Sequence, residues 1–277
     1  MVFQDFLPSP ALREYVSIFR LVHFTFGGAD SIPFKPYPPR AEQYLAFYPR
    51  DTEAVHYPGR HEKIANTRSA LVGQHDVVTD RYIGKDFLVF QVVFQAGALF
   101  RLTGVPAHEL NNTYMDAEAI FGNSIKEVNA RLTSTDRYEE MTVLIENFLL
   151  QQIRRSKMER HAIDGVAHQI VKTNSLTSLD ALANTACLSS RQFERKFMER
   201  MGVTPKYFSR IARFAEAYRI KNSYPDKDWL SIALQCGYYD YQHLAKDYKQ
   251  FTSQTPLAFH LLDLKAPERT FGERDRF

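Results

Sequence analysis

The chain has 277 residues, 44% hydrophobic and 24% charged, with a net charge of +3. That is the make-up of a folded protein with room for two ordinary domains, and it excludes a disordered or fibrous chain. No apolar run approaches the roughly 20 residues that span a bilayer. The first residues lack the basic start and apolar stretch of a signal peptide, and only Cys187 and Cys236 occur as cysteines, so the expected setting is a reducing cytoplasm with no membrane partner.

Residues 1–110 are rich in aromatics and in Pro/Gly punctuation, as in Pro33 to Pro39 and Tyr57-Pro58-Gly59. Short β-type runs lie between, at Tyr44 to Tyr48, Ala70 to Val72 and Phe87 to Phe94. In the last run Leu88, Phe90, Val92 and Phe94 share one face while Phe87, Val89, Gln91 and Val93 share the other, which predicts a strand buried on most of both sides. Strands of this length separated by turn signals suggest a small barrel or sandwich. Asn123 or Ser124 is placed to cap a helix reaching about Leu132. A longer amphipathic helix is expected from Arg137 to Arg154, with Met141, Leu144, Ile145, Phe148 and Leu149 on one stripe and Ile153 extending it.

The polar stretch 154–161 is the expected linker. Beyond it only helices are predicted. Ile163, Val166, Ala167 and Ile170 give a short amphipathic one. Thr177 with Asp180 has the form of a capping box opening a helix over 179–186, and Ser189 with Gln192 of a second. Phe193, Phe197 and Met201 face inward, Gly202 stops that helix, and Thr204-Pro205 starts a long one reaching about Asn222. The plan then repeats: a helix over Trp229 to Cys236, a turn at Gly237, Asp240 capping a helix through Phe251, and Thr255-Pro256 opening a last short one. The fold class is therefore α+β, a β-rich barrel-like domain over 1–153 ending in helices and an all-α domain over 162–262. The tail 263–277 has charges but little to bury and is expected to be disordered.

The repetition is the main functional signal. Phe197, Gly202, Thr204-Pro205 and Phe208 are echoed 51 residues later by Tyr248, Ser253, Thr255-Pro256 and Phe259. Leu182-Ala183 is echoed by Ile232-Ala233, and alanine to aromatic spans 14 residues in the first copy and 15 in the second. One supersecondary unit is used twice. A small alanine at the helix crossing, a plugged turn at Leu188 or Tyr238 and a polar-faced second helix make each unit a helix-turn-helix. The charge agrees: seven Lys/Arg stand against two Glu between Arg191 and Arg213, a local balance of +5, the footprint of a phosphate-binding face. Arg191 and Arg195, four apart, project from one helix face, and arginine suits the guanine edge. Glu194 beside them either accepts from a cytosine amino group or pairs with a neighbouring arginine. The cysteines, just past the first helix of each unit, read as small buried apolar residues with no obvious resolving pair.

On Leu182-Ala183, Leu188-Ser189, Arg191, Phe193, Arg195, Phe197, Gly202, Thr204-Pro205 and Tyr207, then Ile232-Ala233, Gly237-Tyr238, Asp240, His243, Lys246, Tyr248-Lys249 and Thr255-Pro256, residues 160 to 262 resemble the AraC family of bacterial transcription regulators. The resemblance implies two recognition helices in successive major grooves, about one helical turn (~34 Å) apart. It implies base contacts by Arg191, Glu194 and Arg195, and by Gln242 and Lys246. Lys196, Lys206, Arg210, Arg213 and Lys249 are the candidate phosphate contacts; Lys206, Arg210 and Arg213 are either on phosphate or merely solvated. The second unit departs from the pattern at Gln242, Leu244, Lys246 and Ser253, and Asp240 and Asp247 make it less basic. Unit one is therefore expected to carry most base readout. Asp240 reads better as a cap, and His243 as an oriented part of the fold.

Phe6 to Val16 and Phe94 to Leu110 resemble the sensor regions attached to that family, which implies a small-molecule effector. Tyr37, Arg40, Tyr44, Tyr48, Arg68 and Tyr82 are the candidate pocket residues, although aromatics at this density are as a rule core. The residues do not choose among a nucleotide, an aromatic acid and a sugar. The apolar stripe over 137–154 serves either a homodimer seam or packing on its own barrel, and RNA polymerase is a possible further partner of double-stranded DNA binding. No phosphate-cradling loop, nucleophile elbow or metalloprotease motif is present. The nine histidines lack the spacing of a compact site, so no enzyme, cofactor or metal is expected. The rival reading is an effector-binding or protein-interaction module whose DNA binding is lost or non-specific.

Overall fold

The computed structural model describes residues 2–26, 32–59, 63–65, 67–173 and 178–270. The first 116 residues supply ten strands among those described: β1 (Val2–Phe6), β2 (Val16–Thr25), β3 (Lys35–Tyr37), β4 (Tyr44–Phe47), β5 (Glu53–His56), β6 (Lys63–Ala65), β7 (Ser69–Val72), β8 (Thr79–Ile83), β9 (Asp86–Phe94) and, after helix α1 (Ala98–Thr103), β10 (Tyr114–Asp116). They form a six-stranded sheet in the order β1-β2-β9-β4-β7-β10 and a four-stranded sheet in the order β3-β8-β5-β6. The barrel-like domain thus takes the form of two facing sheets rather than one closed cylinder.

Strand β9 explains the layout. Leu88, Phe90, Val92 and Phe94 belong to a core shared with the helices, whereas Phe87, Val89 and Val93 belong to a second core on the opposite face. A period of two with both faces buried is what its unbroken apolar sequence requires. The helical side is closed by α2 (Glu118–Phe121), α3 (Asn123–Thr133) and α4 (Tyr138–Arg155). Met141, Leu144, Ile145, Phe148 and Leu149 of α4 are all spent on this core, so the stripe serves packing within its own domain. Neither Asn123 nor Ser124 caps α3: Gly122 takes the cap position, and the Ser124 hydroxyl instead donates to the Phe121 carbonyl at 2.7 Å.

The remaining helices are α5 (Ala162–Thr173), α6 (Leu179–Thr185), α7 (Ser190–Met201), α8 (Pro205–Ser223), α9 (Trp229–Gln235), α10 (Tyr241–Thr252), α11 (Pro256–Asp263) and α12 (Pro267–Thr270). All of these but α12 share a third core centred on Phe193, Phe197, Phe214, Tyr248, Phe251 and Phe259. Val78, from the loop before β8, is buried in it too. The cap of α6 is Ser178, whose hydroxyl accepts from Ala181 N; Thr177, expected in that role, lies outside the described residues. Ser189 and Gln192 form the expected capping box at α7, and Thr204, Asp240 and Thr255 cap α8, α10 and α11. The expected disordered tail is corrected over 266–270. Ala266, Pro267 and Glu268 are buried, and Arg269 pairs with Asp263 at 3.3 Å. Ion pairs of Glu268 with Lys35 and of Arg269 with Asp263 tie this short helix down, and the Lys35 partner lies too far away in sequence to give a local sign of it; residues 271–277 lie outside the described set.

Candidate nucleic-acid interface and effector cavity

Helices α6 and α7 form one helix-turn-helix unit, α9 and α10 the other, and the 19-residue α8 joins them. Ala183 and Ala233 are buried where the paired helices cross. The turns superpose bond for bond: Leu188 N donates to the Ala183 carbonyl at 3.0 Å, and Tyr238 N to that of Ala233 at 2.9 Å. The one-residue difference in spacing is Tyr239, 85% exposed between the turn and the Asp240 cap. Cys236 is buried but Cys187 is exposed, contrary to expectation, because Cys187 occupies the turn position that Gly237 fills in the second copy.

The outer faces are polar and uncommitted. Arg191, Glu194, Arg195, Gln242 and Lys246 are all exposed. None of them has a side-chain hydrogen bond or ion pair among the described residues. Glu194 is therefore not paired to a neighbouring arginine. Each face sits at the N-terminal part of a 12-residue helix, where free N–H groups and the helix dipole add positive potential. Lys206 is exposed on α8 and Lys196 is half-buried on α7.

Behind that face the assignments change. Arg210 donates to Asp247 at 2.6 Å and to Gln250 at 2.6 Å. Arg213 lies 3.6 Å from the same carboxylate, with its guanidinium 4.0 Å from the centre of the Tyr238 ring and its side chain 12% exposed. Tyr238 completes the cluster through a 3.0 Å hydrogen bond to Asp247, and burial followed by the Asp247 charge drives its hydroxyl pKa far up. Arg210 and Arg213 thus tie α8 to α10, with the Arg210 side chain still 26% exposed. Asp247 is neutralised inside the fold and takes no positive charge from the outer face. Asp240 accepts from His243 N and from its ring at 2.9 Å, the cap and the oriented histidine that the sequence suggested. Lys249 donates to the Ser253 carbonyl at 2.9 Å, closing the end of α10.

The opposite, C-terminal ends of both reading helices rest on the β-rich half. Asn111 donates to the Gly202 carbonyl at 2.6 Å and Gln43 to the Met201 carbonyl at 3.5 Å. Val78 N donates to the Phe251 carbonyl of α10 at 2.8 Å. These bonds satisfy carbonyls that a helix leaves open at its end. Glycine suits this position: its φ is +88°, in the left-handed region, and a Cβ would displace the Asn111 side chain from its place at 2.3 Å. Arg200 adds a buried bidentate pair with Asp164 of α5, at 2.6 and 2.7 Å.

Between the two sheets lies a cavity of about 80 Å³. Phe3, Val22, Phe24, Ile83, Phe87 and Val89 give it apolar walls, and Arg20, Lys35, Arg40 and Arg81 face it as cations. Glu53 holds Arg81 at 3.5 Å, and Tyr44 and Tyr114 accept from Arg81 at 2.7 and 3.0 Å. Burial alone would lower the Arg81 pKa, but Glu53 and the tyrosines around it outweigh burial and keep the guanidinium charged. Burial would likewise raise Glu42, but Arg20 and Arg40 outweigh it and hold that carboxyl ionised. The floor is completed from the far end of the chain by Pro267 and Glu268, with Glu268 paired to Lys35.

Residues 182–260 match the helix-turn-helix domain family, and residues 4–116 match a domain of unknown function, DUF6597. The C-terminal region is an AraC-type helix-turn-helix domain. The second match runs from within β1 to the end of β10. Among solved structures, ToxT from Vibrio cholerae is similar at 9% identity, with 90% of this chain and 98% of that chain covered and a TM-score of 0.47. An unsaturated fatty acid bound form of ToxT, also 9% identical, is covered to 95% against 88% of this chain at 0.46. The AraC-like transcriptional activator CuxR is 11% identical over 79% of this chain and 80% of its own, at 0.29. No protein of curated function matches the chain.

In the AraC-type domain the five base-contact candidates stand together on two outward faces. The pocket candidates divide. Tyr37 and Arg40 line the cavity, and Tyr44 stands behind it on Arg81. Tyr48 is buried on Glu53, 2.8 Å away. Arg68 donates to the Tyr48 and Arg50 carbonyls at the surface. Tyr82 points outward onto Phe34 at 5.6 Å, because strand alternation turns it away from the cavity that Arg81 and Ile83 face. Sequence reasoning missed Arg20, Lys35, Arg81 and Glu268. A charge inside the otherwise apolar run of β2 was the available sign for Arg20; nothing marked Glu268.

Proposed function

We propose that this chain is a sequence-specific DNA-binding transcription regulator that reads bases with Arg191, Glu194 and Arg195 in one groove segment and with Gln242 and Lys246 in the next, under control of a small molecule bound between the two sheets. One observation carries the reading. Both recognition helices keep uncommitted polar side chains at their N-terminal ends, while their C-terminal ends are fixed to the β-rich half. The withdrawal of Asp247 into the Arg210–Arg213 cluster removes the main reason to regard the second unit as a lost reader. Lys196 and Lys206 supply phosphate contacts, and these set position without reading sequence.

The test is selection of bound sequences from a random DNA pool, followed by titration of Arg195→Ala on the selected site. Loss of a bidentate guanine contact costs about 1–3 kcal/mol and relaxes one position of the site. Lys206→Ala should instead weaken all sequences alike and lower the salt slope by about one. Specific affinity of Arg195→Ala within about 1 kcal/mol of the parent would refute the assigned face.

A further inference from the structure

We infer that Tyr239 is a third reader of the second unit, with its ring packed on the C5-methyl group of a thymine at the edge of the groove segment read by Gln242 and Lys246. The inference rests on the reading of the two outer faces as DNA-binding and adds a base that the second unit selects.

The two copies of the repeat differ at this point. In the first, the turn plug Leu188 is followed at once by the cap Ser189; in the second, Tyr239 stands between the plug Tyr238 and the cap Asp240. Counted from the caps, Arg191 corresponds to Gln242, Gln192 to His243, Glu194 to Ala245 and Arg195 to Lys246. The exposed Glu194 has thus given way to a half-buried alanine. On a helix of about 3.6 residues per turn, Ala245 and His243 fall on opposite flanks of Lys246. The flank of Ala245 has no polar reader. The other flank carries Tyr239, whose ring stands edge-on to that of His243 with centroids 6.1 Å apart and planes at 83°. The outer face of the second unit is therefore displaced toward its inserted residue rather than merely depleted.

The fold makes no use of this ring. Tyr239 is 85% exposed while Tyr238 beside it is 3% exposed, so the turn is already plugged without it. The Tyr239 hydroxyl has no hydrogen bond among the described residues. The ring is nonetheless held in place: Asp240 fixes His243 through its backbone N–H and its imidazole, at 2.9 Å each, and His243 backs Tyr239. An aromatic side chain that is exposed yet backed has little freedom left to lose on binding. The major groove offers it one apolar group, the thymine methyl, among base edges that otherwise present hydrogen-bond donors and acceptors. Glutamine and lysine suit the adenine and guanine edges, so the ring adds a pyrimidine contact of a kind that Gln242 and Lys246 do not make.

The test uses the full-length protein on a duplex selected from a random pool, with affinity read by fluorescence anisotropy at fixed salt. The half-site of the second unit is the one that Lys246→Ala relaxes, and each of its thymines is replaced in turn by deoxyuridine, which lacks only the methyl. The parent should lose about fourfold at one position, the effect of one methyl returned to water. Tyr239→Ala should bind the thymine duplex about tenfold more weakly, lose nothing further on the deoxyuridine duplex, and unfold in urea at the parent midpoint. Tyr239→Phe should match the parent on both duplexes. A selected half-site without thymine, a deoxyuridine penalty that persists in Tyr239→Ala, or Tyr239→Phe as weak as Tyr239→Ala each overturns the contact of ring and methyl. Parent affinity in Tyr239→Ala, with specificity lost in Arg195→Ala and Lys246→Ala, overturns this inference alone. Unchanged affinity in all three variants overturns the DNA-reading faces themselves.

Discussion

Two positions of the repeat carry left-handed backbone in both copies, and each copy places glycine at only one of them. At the turn, φ is +76° at Gly237 but +54° at Cys187; at the end of the recognition helix it is +88° at Gly202 but +60° at Ser253. A Cβ in that region costs about 1–2 kcal/mol, while glycine loses about 0.5–1 kcal/mol more through unfolded-chain entropy. Cys187→Gly and Ser253→Gly should each stabilise the protein by about 0.5–1 kcal/mol. Both residues are exposed and neither side chain has a hydrogen bond among the described residues, so little is lost with the Cβ. The assay is urea unfolding followed by fluorescence of Trp229, the one tryptophan; the midpoint should rise with an unchanged slope. Cys187→Ala and Ser253→Ala are the controls, since alanine removes the side chain but keeps the strained Cβ. Glycine variants no more stable than the alanine variants would refute the argument.

Asp247→Ala should cost about 2–4 kcal/mol, below the upper range for a broken buried pair because the Arg210 side chain keeps 26% of its exposure; stability within about 1 kcal/mol of the parent would show that Arg210 and Arg213 do not depend on it. His75 gives a pH test. Burial, with Arg81 second, lowers its pKa from 6.5 to about 3. Between those values the unfolded chain holds a proton that the folded chain does not. Stability is therefore full above about pH 6.5 and falls as pH drops toward 3, by about 1–2 kcal/mol from pH 7 to 5 given the partial exposure of the ring. Unfolding of His75→Gln across that window should be flatter by this amount, and equal slopes would sink the assignment.

The helical half was legible because its signals are local. Ser189 with Gln192, Thr204-Pro205, Asp240 and Gly202 each declare a helix end within four residues, and the repeat doubles every sign. The cavity was hidden because its residues meet through the sheet register. Arg20 on β2, Lys35 on β3, Arg81 on β8 and Glu268 on α12 converge from stretches as much as 248 residues apart, and no short window contains two of these four. Alternation then sorts neighbours that sequence cannot tell apart, sending Arg81 inward and Tyr82 out. The arginines of α8 misled for a related reason. Their spacing shows that Arg210 and Arg213 share a face, but only the packing of α10 shows that Asp247 is there to meet them.

The strength of communication between the halves follows from the same contacts. Asn111 and Gln43 cap α7 and Val78 caps α10, at the ends away from the reading faces. Intramolecular hydrogen bonds contribute about 0.5–1.5 kcal/mol each, and the 3.5 Å Gln43 bond lies at the weak end. Together the three supply about 2–3 kcal/mol, which is the size of a typical coupling free energy between two sites. A stiffer joint would hold both readers in one arrangement whatever the cavity contained, and a looser one would leave them indifferent to it. Gln43 directly precedes β4 and Val78 directly precedes β8, the strand that carries Arg81. A shift in that strand reaches α10 through one backbone hydrogen bond. Under the proposed effector reading, rearrangement around Arg81 is one route by which an occupied cavity would change how the second recognition helix is held.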